Sequence, residues 1–188
     1  MPDGPSGESG ERAAACRRVR AVSDIPESND LSFDAAKFRQ VLGHFPTGVT
    51  VITTVHDGEP VGLAVGSFAS LSLDPPSVMF GAGKQSSTWP KIREAGVFCV
   101  NILSEGQEDV CRVFASKATD KFAEIGWKRS GNGCPVINDA LGYIDCTLDQ
   151  VFSVGDHDLV VGAVTDLDVI HEGGPLLFYR GGYGRFAV

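Results

Sequence analysis

The sequence contains no long apolar run and has a deficit of basic residues. No stretch approaches the roughly 18 consecutive apolar residues that a membrane-spanning helix requires, so we expect no helical membrane anchor. Lys and Arg total 16 residues against 24 Asp and Glu, which gives a formal net charge of -8. Proteins that bind nucleic acids or anionic membranes carry a basic surface, so neither partner is expected.

The sequence also lacks the cysteine spacing of a disulfide framework and the histidine spacing of a metal site. The five cysteines form an odd set without a C-x-x-C pair, which favours a reducing compartment, and we expect a cytoplasmic protein. Cys99 and Cys146 stand within apolar runs and are predicted to be buried, unreactive thiols. The four histidines are scattered without H-x-x-x-H spacing, so no metal site is expected.

Motifs of nucleophilic catalysis and of nucleotide-binding α/β folds are absent as well. The sequence has no G-x-S-x-G elbow, and no cysteine stands beside an obvious activating base. The GAGK segment at 81–84 lacks both the full glycine fingerprint and the Walker spacing. A serine hydrolase, a Rossmann fold and a P-loop protein are therefore all disfavoured.

The chain divides into a polar segment and one apolar-patterned domain. Residues 1–31 are rich in Gly, Pro, Ser and charge, which predicts a disordered N-terminal tail. The arginines in this segment are not followed by an apolar stretch, so no targeting signal is predicted. Apolar residues recur regularly from Ser32 onward, and residues 32–188 are long enough for a single domain with its own core.

Strand signals dominate this domain. Ser32 is predicted to cap a short helix that ends at Gly43, and further short helices are predicted at 89–95 and 107–114. Apolar and β-branched runs predict strands at 48–55, 61–73, 77–80, 97–103, 141–154, 159–170 and 175–180. The Asp57-Gly58 pair predicts a hairpin turn between the first two. About six strands with short connections predict a mainly β fold, a small antiparallel barrel with a few short helices.

One predicted strand region, at 62–76, is unusually rich in Gly, Ala and Ser. Small side chains let the backbone approach a flat ligand closely, and the hydroxyls can bond the polar rim of such a ligand. A tightly packed structural strand accounts for the same composition equally well.

Two further segments combine polar groups that suit nucleotide binding. At 81–89, Lys84 and the hydroxyls of Ser86, Ser87 and Thr88 precede a predicted helix, an arrangement that favours a phosphate or else an ordinary helix cap. At 154–159, Asp156 and His157 fall in a predicted turn. A histidine there can hydrogen-bond a bound nucleotide or assist proton transfer near neutral pH, and a solvated turn is the alternative.

Taken in order, these segments resemble the flavin reductase family, which has the FMN-binding split-barrel fold. The resemblance covers nearly all of 33–186 and is carried by 38–54, 62–80, 84–92, 98–110, 155–157 and 176–183. The small-residue strand that ends in SLDPP and the GDH turn are the most specific of these. The resemblance implies a six-stranded antiparallel split β-barrel.

The resemblance also implies a function. The family's reductases are homodimers that oxidise NADH, or NADPH, reduce FMN or FAD and supply reduced flavin to a separate oxygenase component. This chain is most similar to the reductase halves of two-component aromatic and steroid-ring monooxygenases. A flavin-binding module without turnover, or a self-contained flavoprotein that acts on its own substrate, are the alternatives.

Site residues follow from the same resemblance. The implied contacts with the flavin ring are Pro60, Val61, Gly62, Leu63, Ala64, Gly66 and Ser67. The implied contacts with the ribityl and phosphate part are Gly81, Ala82, Gly83, Ser87 and Thr88. The implied contacts with the nicotinamide nucleotide are Asp156 and His157, with Tyr179, Arg180 and Tyr183 near the same mouth. Hydride passes directly between the two cofactors, so no catalytic side chain is implied, and His157 is the only candidate.

The chain departs from the family pattern at two positions. Family members often carry an Arg-Phe pair after the FCVN strand, whereas here Val113 precedes Phe114. Arg112 is the nearest basic residue and reaches a flavin phosphate only if the helix is slightly rotated, since neighbouring helical side chains point about 100° apart. Gly66 stands where a polar residue is common. These departures leave the choice between FMN and FAD open.

Overall fold

The computed structural model describes residues 34–186. The predicted tail at 1–31, the Ser32 cap and Cys16 lie outside this range. The helices within it are α1 (Ala35–Leu42), α2 (Trp89–Ala95) and α3 (Glu108–Ala115). The strands are β1 (Thr47–Gly48), β2 (Thr50–His56), β3 (Glu59–Val65), β4 (Ala69–Leu73), β5 (Pro76–Gly83), β6 (Val97–Ile102), β7 (Trp127–Arg129), β8 (Pro135–Ile137), β9 (Gly142–Val154), β10 (His157–Val169), β11 (Leu176–Tyr179) and β12 (Gly182–Arg185).

Local sequence signals set most helix ends and turns. The cap of α1 is Asp34, whose carboxylate accepts a hydrogen bond from the Ala36 amide at 2.8 Å. This cap lies two residues after the predicted Ser32. Helix α2 begins as expected, with Pro90 in its first turn, and it ends at Gly96 with φ of 68°. Asp57 and Gly58, with φ of 52° and 83°, form the predicted turn between β2 and β3.

The main sheet contains seven strands in the order β3-β2-β6-β9-β10-β5-β4, and each neighbouring pair is antiparallel. It curls so that β3 and β5 come into contact. Leu63 and Val65 of β3 share one apolar cluster with Phe80 and Ala82 of β5. Side-chain packing rather than a hydrogen-bonded ladder closes this edge, and the result is a split barrel.

The sheet has one strand more than the six expected, because the predicted run at 61–73 forms two strands. Gly66, Ser67 and Phe68 belong to neither strand and separate β3 from β4. The Ser67 hydroxyl instead accepts a hydrogen bond from the Gly81 amide at 2.9 Å and donates one to the Gly81 carbonyl at 3.2 Å. A hydroxyl in a small-residue run thus redirects the chain.

The short strands β7 and β8 were not predicted, because they lie in a polar, glycine-bearing segment. Their position depends on Asn101, which is fully buried on the outer side of β6. The Asn101 side-chain amide donates to the Pro135 carbonyl at 3.3 Å and accepts from the Ile137 amide at 2.7 Å. A side chain distant in sequence therefore supplies the bonds that hold β8 against the barrel.

The barrel interior is filled by aromatic and branched side chains. Phe80 packs edge-on against both Trp89 and Phe98, and all three are buried. Cys99 and Cys146 are fully buried as predicted, and burial raises the pKa of the Cys146 thiol to about 12. A thiol with so high a pKa is inert near neutral pH. No helix within 34–186 is long and apolar enough to cross a membrane.

The barrel core predicts a strict requirement for glycine at position 162 in β10. A Cβ atom there would lie 2.4 Å from Cζ of Phe98, which is enclosed on all sides. We expect Gly162→Ala to lower the free energy of unfolding by about 2 kcal/mol, since Phe98 must be displaced. Gly184→Ala is the matched control, because a Cβ there meets no atom within 4 Å. Urea denaturation of both variants checks this, and equal stabilities would contradict the packing argument.

Candidate functional site

A groove of about 700 Å³ runs along the edge where the barrel is closed by packing. Its walls come from β3, β5, the segment before α2 and the end of α3. The lining residues are 63–67, Gly81, Gly83, 85–88, 114–117, Lys121 and His157. Leu63, Ala64, Gly66 and Ser67 are therefore brought together with Gly81, Gly83, Ser87, Thr88, Phe114 and His157, as the resemblance implies.

The floor of the groove consists of glycine backbone beside the His157 ring. His157 pairs with Gly83 across β10 and β5. A Cβ on Gly83 would lie 3.6 Å from Nε2 of His157, so the missing side chain leaves this face of the ring clear. Nδ1 of His157 lies 2.8 Å from Oδ1 of Asp156, and this hydrogen bond lowers the pKa of the carboxyl. The bond orients the ring with Nε2 on the side of Gly83.

Ser86 controls the start of α2. Its hydroxyl oxygen accepts hydrogen bonds from the Thr88 and Trp89 amides, each at 3.2 Å. The Trp89 indole donates to Oδ2 of the buried Asp158 at 2.8 Å, which anchors α2 to β10. The Thr88 and Trp89 amides at the helix start are thus already bonded within the protein, and Ser87 and Thr88 line the groove.

Lys84 does not line the groove, contrary to its proposed phosphate contact. Its ammonium group donates to the Ser153 hydroxyl and to the Gly155 carbonyl, each at 2.7 Å. The cations of the groove are instead Lys117 and Lys121, in the segment after α3. Sequence reasoning missed both, because they belong to no motif and only their proximity to a predicted helix end marked them.

Lys121 is the more enclosed of these two lysines. Its ammonium group donates to the Phe114 carbonyl at 2.8 Å and to the Gly62 carbonyl at 3.4 Å. Burial lowers its pKa below the ordinary lysine value. Two carbonyl contacts hold the charge in place at the end of the groove, where it can pair with an anion.

A second cavity of about 260 Å³ adjoins this end. It shares Ser87, Thr88, Lys117 and Lys121 with the groove, and adds Pro60, Val61, Gly62 and Lys91. The residues implied to contact the flavin ring therefore fall in two places: 60–62 line the second cavity beside the lysines, and 63–67 line the groove. At Gly62 the close approach is to Phe114, whose ring would lie 2.7 Å from an added Cβ. The absence of a side chain at Gly62 therefore makes room for the Phe114 ring.

Six of the implied residues line neither the groove nor the second cavity: Ala82, Arg112, Asp156, Tyr179, Arg180 and Tyr183. Ala82 is fully buried in the barrel core, and the carboxylate of Asp156 is exposed behind His157. Arg112 bonds Oε1 of Glu108 at 2.9 Å and stacks 4.9 Å from the Tyr183 ring centre. Residues 112 and 114 are about 200° apart around a helix, so Phe114 faces the groove and Arg112 faces away. Tyr183 is held there by the Cys111 thiol at 3.2 Å.

A third, larger cavity of about 1170 Å³ meets the groove at Gly66 and Ser67. It lies between α1, the segment that follows α1, and the turn after β11, and its apolar walls include Phe38 and Phe45. Arg180 lines it and donates its amide to the Gly43 carbonyl at 2.9 Å. The three cavities thus form a series that runs from lysines, past the glycine floor, to an apolar space.

Comparison with known proteins identifies the family. The model of the flavin reductase like domain matches residues 42–187. A flavin reductase of Pseudomonas putida is 50% identical over 84% of this chain and 93% of its own length. The reductase subunit HsaB of a flavin-dependent monooxygenase from Rhodococcus jostii is 50% identical over 81% of this chain and 78% of its own.

A solved structure supports the same relationship. The NADH:FAD oxidoreductase SgcE6 of Streptomyces globisporus, in complex with NAD and FAD fragments, superposes with a TM-score of 0.78. It is 35% identical to this chain, and the match covers 82% of this chain and 93% of that one. Because the family model spans most of the sequence and the fold agrees, this chain belongs to the flavin reductase-like family.

Proposed function

We propose that this protein is an NAD(P)H:flavin oxidoreductase that reduces FMN or FAD and supplies the reduced flavin to a separate monooxygenase component. The observation that carries the proposal is the groove, in which an oriented histidine lies over a glycine floor and two lysines stand at the far end. A groove that is open beside glycine backbone and positively charged at one end suits a flat ring joined to a phosphate. The relatives named flavin reductase and monooxygenase reductase subunit support the same activity.

The residues of the groove fit a flavin. Backbone without side chains at Gly66 and Gly83 leaves room for a planar ring. At the other end the hydroxyls of Ser87 and Thr88 adjoin Lys117 and Lys121, the donor set that a phosphate requires. Within 34–186, neither lysine forms a salt bridge, so their charges are available to a ligand.

The nicotinamide substrate is assigned to the side of the groove where His157 lies. A flavin held in the groove would supply the acceptor for a hydride from reduced nicotinamide, so the protein needs no nucleophile. His157 orients the nicotinamide nucleotide. Asp156 in turn holds the imidazole ring of His157 through its Nδ1 atom. Orientation of two reactants is itself a large contribution to rate, because it converts an encounter into an intramolecular step.

The proposed partners are a second copy of the chain and an oxygenase component. Phe38, Val41, Leu42 and Phe45, in and after α1, are each more than half exposed. Exposed apolar side chains that lie this close together in sequence are typical of a subunit interface, which supports the homodimer implied by the family. An oxygenase partner is supported by the relative that is a monooxygenase reductase subunit. Four free thiols within 34–186 accord with the cytoplasmic location we propose.

The first test is NADH oxidation by the purified protein in air, with and without added FMN, FAD or riboflavin. Turnover that depends on added flavin and saturates with it is expected, and the saturation constants will rank the flavins. A parallel series with NADPH ranks the nicotinamides. No turnover by a folded protein that binds flavin would favour the binding module, and oxidation without added flavin would favour a self-contained flavoprotein.

The His157→Ala variant tests the nicotinamide contact. Removal of the ring should raise the Michaelis constant for NADH by about tenfold and leave the Michaelis constant for flavin unchanged. His171→Ala, which removes an exposed histidine away from the groove, is the control and should match the wild type. Steady-state kinetics measure both constants. If His157→Ala leaves the NADH constant and turnover unchanged, the assignment is wrong.

The lowered pKa of Lys121 predicts a pH dependence of flavin affinity. Deprotonation removes a positive charge from the phosphate end, so FMN should dissociate more readily as pH rises through this lowered pKa. We expect an affinity loss of about tenfold between neutral pH and the ordinary lysine pKa of about 10.4. Fluorescence titration of FMN at a series of pH values measures it.

Two controls isolate the lysine. Arginine stays protonated throughout this range, so Lys121→Arg should abolish the loss of affinity. Riboflavin has no phosphate, so its affinity for the wild type should stay constant over the same pH values. An identical pH profile for FMN and riboflavin would refute the assignment of Lys121 to the phosphate.

A further inference from the structure

We propose that Lys84 is a positioning residue for the nicotinamide substrate, because it holds the turn that carries His157 against the floor of the groove. The proposal rests on the proposed function, in which His157 orients the nicotinamide nucleotide. It gives Lys84 a role different from the phosphate contact suggested by its neighbours in sequence.

Three hydrogen bonds from one residue carry the argument. The ammonium group of Lys84 donates to the Ser153 hydroxyl and to the Gly155 carbonyl, each at 2.7 Å, and the Lys84 amide donates to the Asp156 carbonyl at 3.0 Å. The side chain therefore spans the turn between β9 and β10. Both charged bonds are short, as expected for a cation with neutral acceptors.

Apart from the strand pairing of His157 with Val154 and Gly83, the turn has few contacts that hold it. The side chains of Asp156 and His157 are 91% and 55% exposed, and Gly155 has a positive φ of 56°. Within residues 34–186, Lys84 is the only side chain that donates a hydrogen bond to a backbone carbonyl of 154–157. Turns with so few buried contacts open readily, so removal of this lysine should widen the range of His157 positions.

The location of Lys84 makes this constraint specific to the groove. It directly follows Gly83, which lines the groove and pairs with His157. The lysine thus ties the turn to the same stretch of backbone that forms the floor beneath the ring. A shift of the turn would move His157 relative to that floor, and misplacement by about 1 Å is enough to lower a rate substantially.

The test compares Lys84→Met, which keeps the length of the side chain but removes its donors, with Lys84→Arg, which keeps charge and donors. We expect Lys84→Met to raise the Michaelis constant for NADH by about tenfold, with the flavin constant and the melting temperature unchanged. Lys84→Arg should restore most of the wild-type value. Lys128→Met, on an exposed face of β7, is the surface control and should behave as wild type.

A double-mutant cycle separates positioning from a general structural role. If Lys84 acts through His157, Lys84→Met should have little further effect on the NADH constant in a His157→Ala background. Additive effects, or a loss of flavin affinity in Lys84→Met, would overturn the proposal. An unchanged NADH constant in Lys84→Met would overturn it too, while leaving the proposed function intact. Absence of NADH oxidation by the wild type would instead refute the proposed function itself, and the nicotinamide role of Lys84 with it.

Discussion

The pairing of β5 with β10 is the interaction on which the rest of the site depends. Its register sets Gly83 opposite His157 and Gly81 opposite Leu159, so two segments distant in sequence become one surface. A shift of one residue would turn every side chain of β10 to the other face of the sheet. The register is secured because Phe80 and Val160 are both fully buried in the barrel core. Core packing thereby determines the geometry of the groove floor.

Most polar groups around the groove are bonded within the protein, and this sets what remains for ligands. Ser67 is bonded to Gly81, Ser86 to the start of α2, and the Trp89 indole to Asp158. These bonds keep the walls in place, and loss of the Trp89–Asp158 bond would cost the most, since both of its groups are buried. The groups left for a ligand are then few and spatially ordered: hydroxyls and lysines at one end, an oriented imidazole at the other.

Charge placement matters more because the chain is acidic overall. With a formal net charge of -8, the protein as a whole disfavours the approach of anions. Lys91, Lys117 and Lys121 gather around one small cavity and supply a local exception. Lys84 precedes Ser86, Ser87 and Thr88 in sequence, but its ammonium group bonds the turn between β9 and β10. In the proposed function, Lys91, Lys117 and Lys121 attract the anionic part of the ligand, whereas Lys84 holds the turn.

The sequence by itself determined most strands of the main sheet, the Asp57-Gly58 turn, the ends of α2 and a turn at Gly155-Asp156, because these depend on neighbouring residues; His157, predicted to lie in that turn, is instead the first residue of β10. The motif order was enough to indicate the family. Only the tertiary structure decided that Lys84 faces the turn, that Gly62 makes room for Phe114 and that Lys121 reaches the groove. The β7 and β8 strands likewise depend on Asn101. In each case the direction of a side chain is set by contacts between segments far apart in sequence, which local pattern does not encode.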